Sequence, residues 1–296
     1  MKYVLHSVSY AGFWRNQASL GLEDFLRKAA ELGYDGVEIM AKRPHASPLD
    51  LDEERKIQIG DLLKQLNLEC ACLAAYTDFT SGMDSKFIPS QEMQLIYIDE
   101  LIKLAAMWNC RLIRVFSGYC LANVSYWQQW DACVKGLKEC AKRAQRYGIT
   151  IGVQNHHDIA ADANSMLELL NEIDEPNCKV MLDAWVPAVH GVSLEETVNI
   201  FAGNIAYTTA ADYIYLPRYK YLPDNVNYEK KPGILKAVPM GEGFIDYALF
   251  FKALRDTGYD GYVAYEMCSE LRGGGSIANL DSYARRFLTY MKELYR

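Results

Sequence analysis

GVQNHHD (152–158) is the stretch on which the fold of this chain turns. Small and apolar residues run for a few positions. They then give way to Gln154, Asn155, His156, His157 and Asp158, side chains that can hold a metal or a sugar. VMLDAWVP (180–187) repeats the form with Asp183 and Trp185, and VAYEMCSE (263–270) ends its run at Glu266. One helix-length segment separates the first two. Strand, polar tip, helix, strand, polar tip is the order of a parallel barrel that gathers its chemistry at the C-terminal ends of its strands.

The flanking chain keeps the same alternation. Strands are expected at 3–8, 35–40, 68–76, 110–116, 149–154, 179–183, 204–209 and 261–266. Helices are expected at about 19–32, up to 66, then about 90–108, 125–147, 163–173, 193–202, 245–257 and 277–294. Gly33 stops the first helix, and Asp50 or Asp52 caps the second. The spacing in the third helix puts Met93, Ile96, Leu101, Leu104 or Ala105, and Trp108 on its buried side. Eight strands alternating with eight helices, with no linker or composition break, make one α/β domain over 1–296, a (β/α)8 barrel. No GxGxxG or P-loop pattern favours an open sheet.

Residues 210–243 break the pattern. They are rich in Tyr and Pro and show no clear period. Loops of that length in a compact domain are usually functional or disordered. Tyr213, Tyr215, Tyr219, Tyr221 and Tyr228, with Arg218 and Lys220 among them, offer large contact areas with polar ends. The segment is therefore expected to fold over the pocket or against a neighbouring subunit, and self-association stays open.

Half of the 296 residues are hydrophobic, which suits a large core. The net charge of −7, with no basic run, disfavours nucleic acid as a partner. No apolar run reaches membrane-spanning length, and the N-terminus reads as a first strand and not a signal peptide. The eight cysteines show no zinc-finger or secreted-framework spacing and read as reduced, mostly buried thiols of a cytoplasmic protein.

On a strand Gln154 and His156 share a phase and Asn155 does not, so at most one of His156 and His157 faces the pocket. Asp183 and Glu266 close their strands, where barrel enzymes place ligands. Two carboxylates with amide and imidazole neighbours suit a divalent cation, with a sugar-binding or structural role as the alternative. Trp185 serves equally as a sugar-stacking platform or as packing. Arg114, inside a strand, needs a buried anionic partner, either a substrate or, in preference, a structural acid such as Glu38. The glycines of LRGGGSIANL (271–280) precede Ser276, a candidate N-cap, and read as a flexible loop in preference to a phosphate site.

The chain resembles the xylose isomerase-like barrel family over nearly its whole length. GYDGVEIM (33–40), GVQNHHD, VMLDAWVP, IAYTTAAD (205–212), VPMGEGFIDY (238–247) and AYEM (264–267) carry the resemblance. It implies a sugar isomerase or epimerase that abstracts a proton next to a carbonyl of a sugar, keto-sugar, cyclitol or sugar phosphate. It implies a divalent metal (Mn, Zn or Co) on Asp183, Glu266 and Gln154, and catalysis by Glu266, His156 and Glu38. Gln154, Asn155, His157, Trp185 and Arg218 are then the expected substrate contacts. Three positions depart from the family pattern: Gln154 stands for a glutamate, and Val186 and Thr209 for histidines. Gln supplies no charge and cannot act as a base, so the ligand set is incomplete. The alternative is a non-catalytic or differently catalytic sugar-binding barrel, or a subunit of a complex.

Overall fold

The computed structural model describes residues 1–85 and 87–294. Eight parallel strands close into a barrel: β1 (Lys2–His6), β2 (Gly36–Met40), β3 (Glu69–Ala74), β4 (Leu112–Val115), β5 (Thr150–Gln154), β6 (Cys178–Asp183), β7 (Ile205–Ala210) and β10 (Tyr262–Tyr265). Each pairs with the next, and β10 closes on β1 through Lys2↔Tyr262 to Leu5↔Tyr265. Helices α1 (Leu22–Leu32), α2 (Glu53–Gln65), α3 (Ser90–Met107), α4 (Tyr126–Gln145), α5 (Ala163–Ile173), α7 (Leu194–Ile200), α8 (Tyr247–Asp256) and α9 (Ile277–Leu294) lie between and after the strands. A further short helix, α6 (Trp185–His190), sits directly on the tip of β6. Among the described residues no helix is long and apolar enough to cross a membrane.

Local chemistry sets the element ends. Gly33 adopts φ +85° after α1, where the Gly33 and Tyr34 amides donate to Ala30 and Ala29. Asp52, and not Asp50, caps α2 through the Arg55 amide at 2.8 Å. In α3 the buried face is Ile98, Leu101, Ile102 and Ala105, at helical spacing. Met93 and Ile96, expected on that face, are exposed, because the helical period carries them to the opposite side of α3. Seven cysteines are buried or half-buried, Cys120 is exposed, and all eight are free.

The segment expected to be an aperiodic loop is a two-stranded antiparallel ribbon, β8 (Asp212–Leu222) and β9 (Asn227–Val238). The register slips between Leu216 and Arg218, around Pro217, which has no amide hydrogen for the ladder. Only the ribbon's base packs on the barrel. Tyr213 is buried, and the Ala237 amide donates to Glu270 while the Ala237 carbonyl accepts from Arg272. The outer half, with Tyr215, Tyr219, Tyr221 and Tyr228, projects into solvent instead of folding over the pocket.

Candidate active site

The inward positions of the strands form two layers of opposite character. The lower one holds Val4, Cys72, Leu112, Met181, Tyr207 and Ala264, an apolar cluster inside the barrel. Two residues further along five of these strands come His6, Arg114, Asp183, Thr209 and Glu266. Strands β2 and β5 add Glu38 and Gln154, each two positions after a glycine. The period of two along a strand thus stacks a polar layer on an apolar one, at the C-terminal mouth.

This layer is dry, and its groups hold one another. His6, Glu38, Arg114, Gln154 and Thr209 are at most 1% exposed. His6 Nδ1 accepts the Val8 amide at 2.9 Å, so the neutral ring carries its proton on Nε2. That nitrogen lies 3.4 Å from Glu38 Oε1 and 3.5 Å from Glu266 Oε1. Burial, with the Arg114 charge behind it, holds the His6 pKa well below the ordinary imidazole value. Burial and the Glu266 carboxylate push Glu38 well above the usual carboxylate range, against the pull of Arg114. The same two causes raise Asp183 to about 7.

Arg114 donates from Nη1 to Gln154 Oε1 at 2.7 Å and stands 3.8 Å from Glu266 Oε1. Its guanidinium lies over the rings of Tyr76 and Phe116, 4.7 and 4.2 Å from their centroids. The anionic partner is therefore Glu266 and not Glu38, which acts on Arg114 only from further away. Gln154 Nε2 in turn lies 3.3 Å from both Asp183 Oδ2 and Glu266 Oε2.

Above this layer is a cavity of about 170 Å³ lined in part by His156, Asp183, Trp185, Thr209, Glu266 and Cys268. Tyr213 and Leu235 from the ribbon base complete one wall. Trp185 lines the cavity with its ring, while the indole Nε1 is buried without a hydrogen-bond partner and is not part of the accessible wall. The His156 ring stacks on Trp185 at 5.3 Å. His156 keeps an exposed edge, yet crowding by surrounding protein lowers its pKa, with Glu266 pulling the other way. A larger groove, about 660 Å³, opens at the opposite mouth. Its acid is already paired: Glu69 pairs with Lys2 and accepts from Tyr262 at 2.6 Å. We assign the chemistry to the smaller cavity, where the Asp183 and Glu266 carboxyls meet the His156 imidazole.

Several expected site residues lie elsewhere. Asn155 turns away from the axis. Its side chain accepts the Asp183 amide at 2.7 Å and donates to the Asp183 carbonyl at 3.1 Å, clamping two strand tips together. His157 is sandwiched between Phe116 and Tyr119, with ring centroids 4.0 and 4.1 Å away, so it packs and does not line the cavity. Burial depresses its pKa to about 4. Arg218 sits on the exposed part of the ribbon, paired in register with Lys231, because the ribbon points outward. Glu38 reaches the site only through His6, beneath Glu266. Asp212 accepts the Gly241 and Gly243 amides at 3.0 and 2.8 Å and so pins the glycine turn before α8. The 271–280 loop is docked, its Gly275 carbonyl accepting from Ala18 at 2.7 Å, and the Ser276 hydroxyl caps α9 through the Asn279 amide. Sequence reasoning left His6, Cys268 and Ser269 without a role. The strand phase alone identifies His6, which falls two positions after the inward Val4.

The implied metal is tested by these donors. Gln154 turns its oxygen to Arg114 and its NH2 to the two carboxylates, so it offers no lone pair to an ion between them. Among the described residues no three His, Cys, Asp or Glu side chains come together in a set that could hold a metal ion. The residues present do not fit the group.

A family model described as xylose isomerase-like TIM barrel matches residues 26–293. The chain belongs to that family. A 3-dehydroshikimate dehydratase of Bacillus anthracis is 25% identical over 267 residues, 87% of this chain and 88% of the relative. A fructoselysine 3-epimerase of Escherichia coli O157:H7 is 23% identical over 256 residues, 84% and 86% of the two chains. Among solved structures, a D-psicose 3-epimerase with D-tagatose from Clostridium cellulolyticum H10 superposes with a TM-score of 0.75 at 17% identity, covering 99% of each chain. Relatives of this family are enzymes, epimerases and a dehydratase among them.

Proposed function

We propose that this chain is an isomerase or epimerase of a compact, polyhydroxylated carbonyl compound, a sugar or sugar derivative. The observation that carries this reading is one small cavity in which the Glu266 and Asp183 carboxyls, the His156 imidazole and the Trp185 ring share the wall. At about 170 Å³ the cavity is below the range of drug-sized sites, which suits a monosaccharide-sized ligand.

Glu266 takes the proton from the carbon beside the carbonyl. His156, neutral at physiological pH, both accepts and donates, and returns a proton to the carbon or to the oxygen. Gln154 holds Glu266 in place from below, and its NH2 also contacts Asp183. Loss of a β-hydroxyl as water from such a compound can begin with the same proton abstraction, so one first step serves epimerisation and dehydration alike.

The test is solvent exchange. D-Tagatose, D-psicose, fructoselysine and 3-dehydroshikimate are each incubated with the protein in D2O and followed by proton NMR. Loss of a single C–H signal next to the carbonyl of one probe, abolished by Glu266→Gln, supports the reading. Saturable binding of a probe without any exchange would place the chain among ligand-binding barrels instead.

A further inference from the structure

The place between the two carboxylates is already filled by the protein. Gln154 Nε2 bridges Asp183 Oδ2 and Glu266 Oε2 at 3.3 Å each, and Gln154 Oε1 accepts from Arg114 at 2.7 Å. A guanidinium has donors only, so the atom facing it must be the amide oxygen, which fixes the NH2 toward the acids. The stacking of Arg114 against Tyr76 and Phe116 holds its plane, and its 1% exposure leaves it no route to water. A guanidinium stays charged at every pH a protein meets. Its Nε and Nη2 have no hydrogen-bond partner, so neither the pairing nor the burial is explained by a saturated structural network.

We propose that Arg114, acting through Gln154, is the resident cation of this site and replaces the divalent metal of the family. Gln154 and Arg114 work as one unit. The arginine supplies permanent positive charge 3.8 Å from Glu266, and the amide relays it as two N–H donors to the carboxylates. Where a metal would hold the acids apart and draw charge from the substrate, here a fixed hydrogen-bonded fork sets their geometry. A divalent ion entering from the cavity meets carboxylates whose Oδ2 and Oε2 already accept from Gln154, with a buried positive charge behind them. Arg114 is a positioning residue, since it does not line the cavity. The exclusion of metal stands on the donor geometry alone; only the functional part of the inference rests on the reading of this cavity as a reaction site.

The probe is Mn2+ alone, titrated into chelator-treated protein and read by electron paramagnetic resonance of the free ion. The wild-type chain is expected to take up no stoichiometric Mn2+. Arg114→Met combined with Gln154→Glu removes the resident cation and restores a carboxylate. It is expected to bind one ion per chain roughly tenfold to a hundredfold more tightly than the parent. Gln154→Glu alone, with Arg114 still in place, should gain little. One tightly held Mn2+ per wild-type chain overturns the inference, and this measurement needs no variant to fold. The readout is independent of turnover, so a chain that excludes Mn2+ but exchanges no substrate proton would sink the proposed activity and leave this inference standing.

Discussion

Removing the buried cation should expose how much of the site depends on it. In Arg114→Met the side-chain volume is roughly kept, but Glu266 loses the charge 3.8 Å away and Gln154 Oε1 loses its donor. At that separation two unit charges interact by about 4 kcal/mol in a medium of effective dielectric near 20. Breaking one member out of a buried pair costs about 3–5 kcal/mol, because the other charge stays behind. We expect Arg114→Met to lower unfolding free energy by about that amount, read from urea midpoints at unchanged m-value. Glu266→Gln in the same background removes the stranded charge, and the double variant should recover part of the loss. The cycle of the two single variants and the double variant should give a coupling of about 0.5–3 kcal/mol. An Arg114→Met chain within about 1 kcal/mol of the parent, or a coupling of zero, would refute the view of Arg114 as the compensating charge.

Three further outcomes follow from the geometry. Asp183 ionises near pH 7 when folded and near pH 4 when unfolded, so the native state binds more protons between these values and wild-type stability falls as pH rises. Asp183→Asn lacks that slope. The difference between the two, from denaturation at pH 4, 5.5 and 8, should grow by up to about 4 kcal/mol in favour of Asn and then level off; a flat difference speaks against the buried, raised acid. Glu38, whose carboxyl burial pushes well above the usual carboxylate range, should tolerate Glu38→Gln with little loss of melting temperature, whereas a large loss would mean that its charge is used. Replacing the outer ribbon, 217–232, by a short turn should leave the melting temperature and ligand affinity unchanged, because only Tyr213 and Leu235 of the ribbon reach the cavity. Weaker binding, measured calorimetrically, would show that the ribbon closes over the site.

The barrel was legible because its signal repeats eight times and each repeat is local: a short apolar run, a polar tip, a helix with a stop. Where the signal is interrupted, reading fails. Tyr213, Tyr215, Tyr219 and Tyr221 do alternate with the period of a strand, but Pro217 and the charges beside it mask the alternation, and the slip at that proline shows why. Exposed Met93 and Ile96 misled for a different reason. They are apolar, but the helical period sets them on the side of α3 opposite Ile98, Leu101, Ile102 and Ala105, where nothing covers them.

The site divides along the same line. Position on a strand is a local property, so the ends at Asp183, Glu266 and Gln154 could be read, and the phase rule separates His156 from His157. What a side chain does once there depends on its neighbour across the barrel. Gln154 in isolation is a weak metal ligand, since its oxygen can face an ion. Arg114, forty positions earlier but on the adjacent strand β4, takes that oxygen and turns the amide around. The substitution of Gln for Glu therefore has a meaning only as half of a pair. A glutamate beside Arg114 would form an ion pair and cancel the charge, while a glutamine passes the charge on as N–H donors. Arg114 and Gln154 are intelligible together as a change of cation, and neither residue alone discloses it.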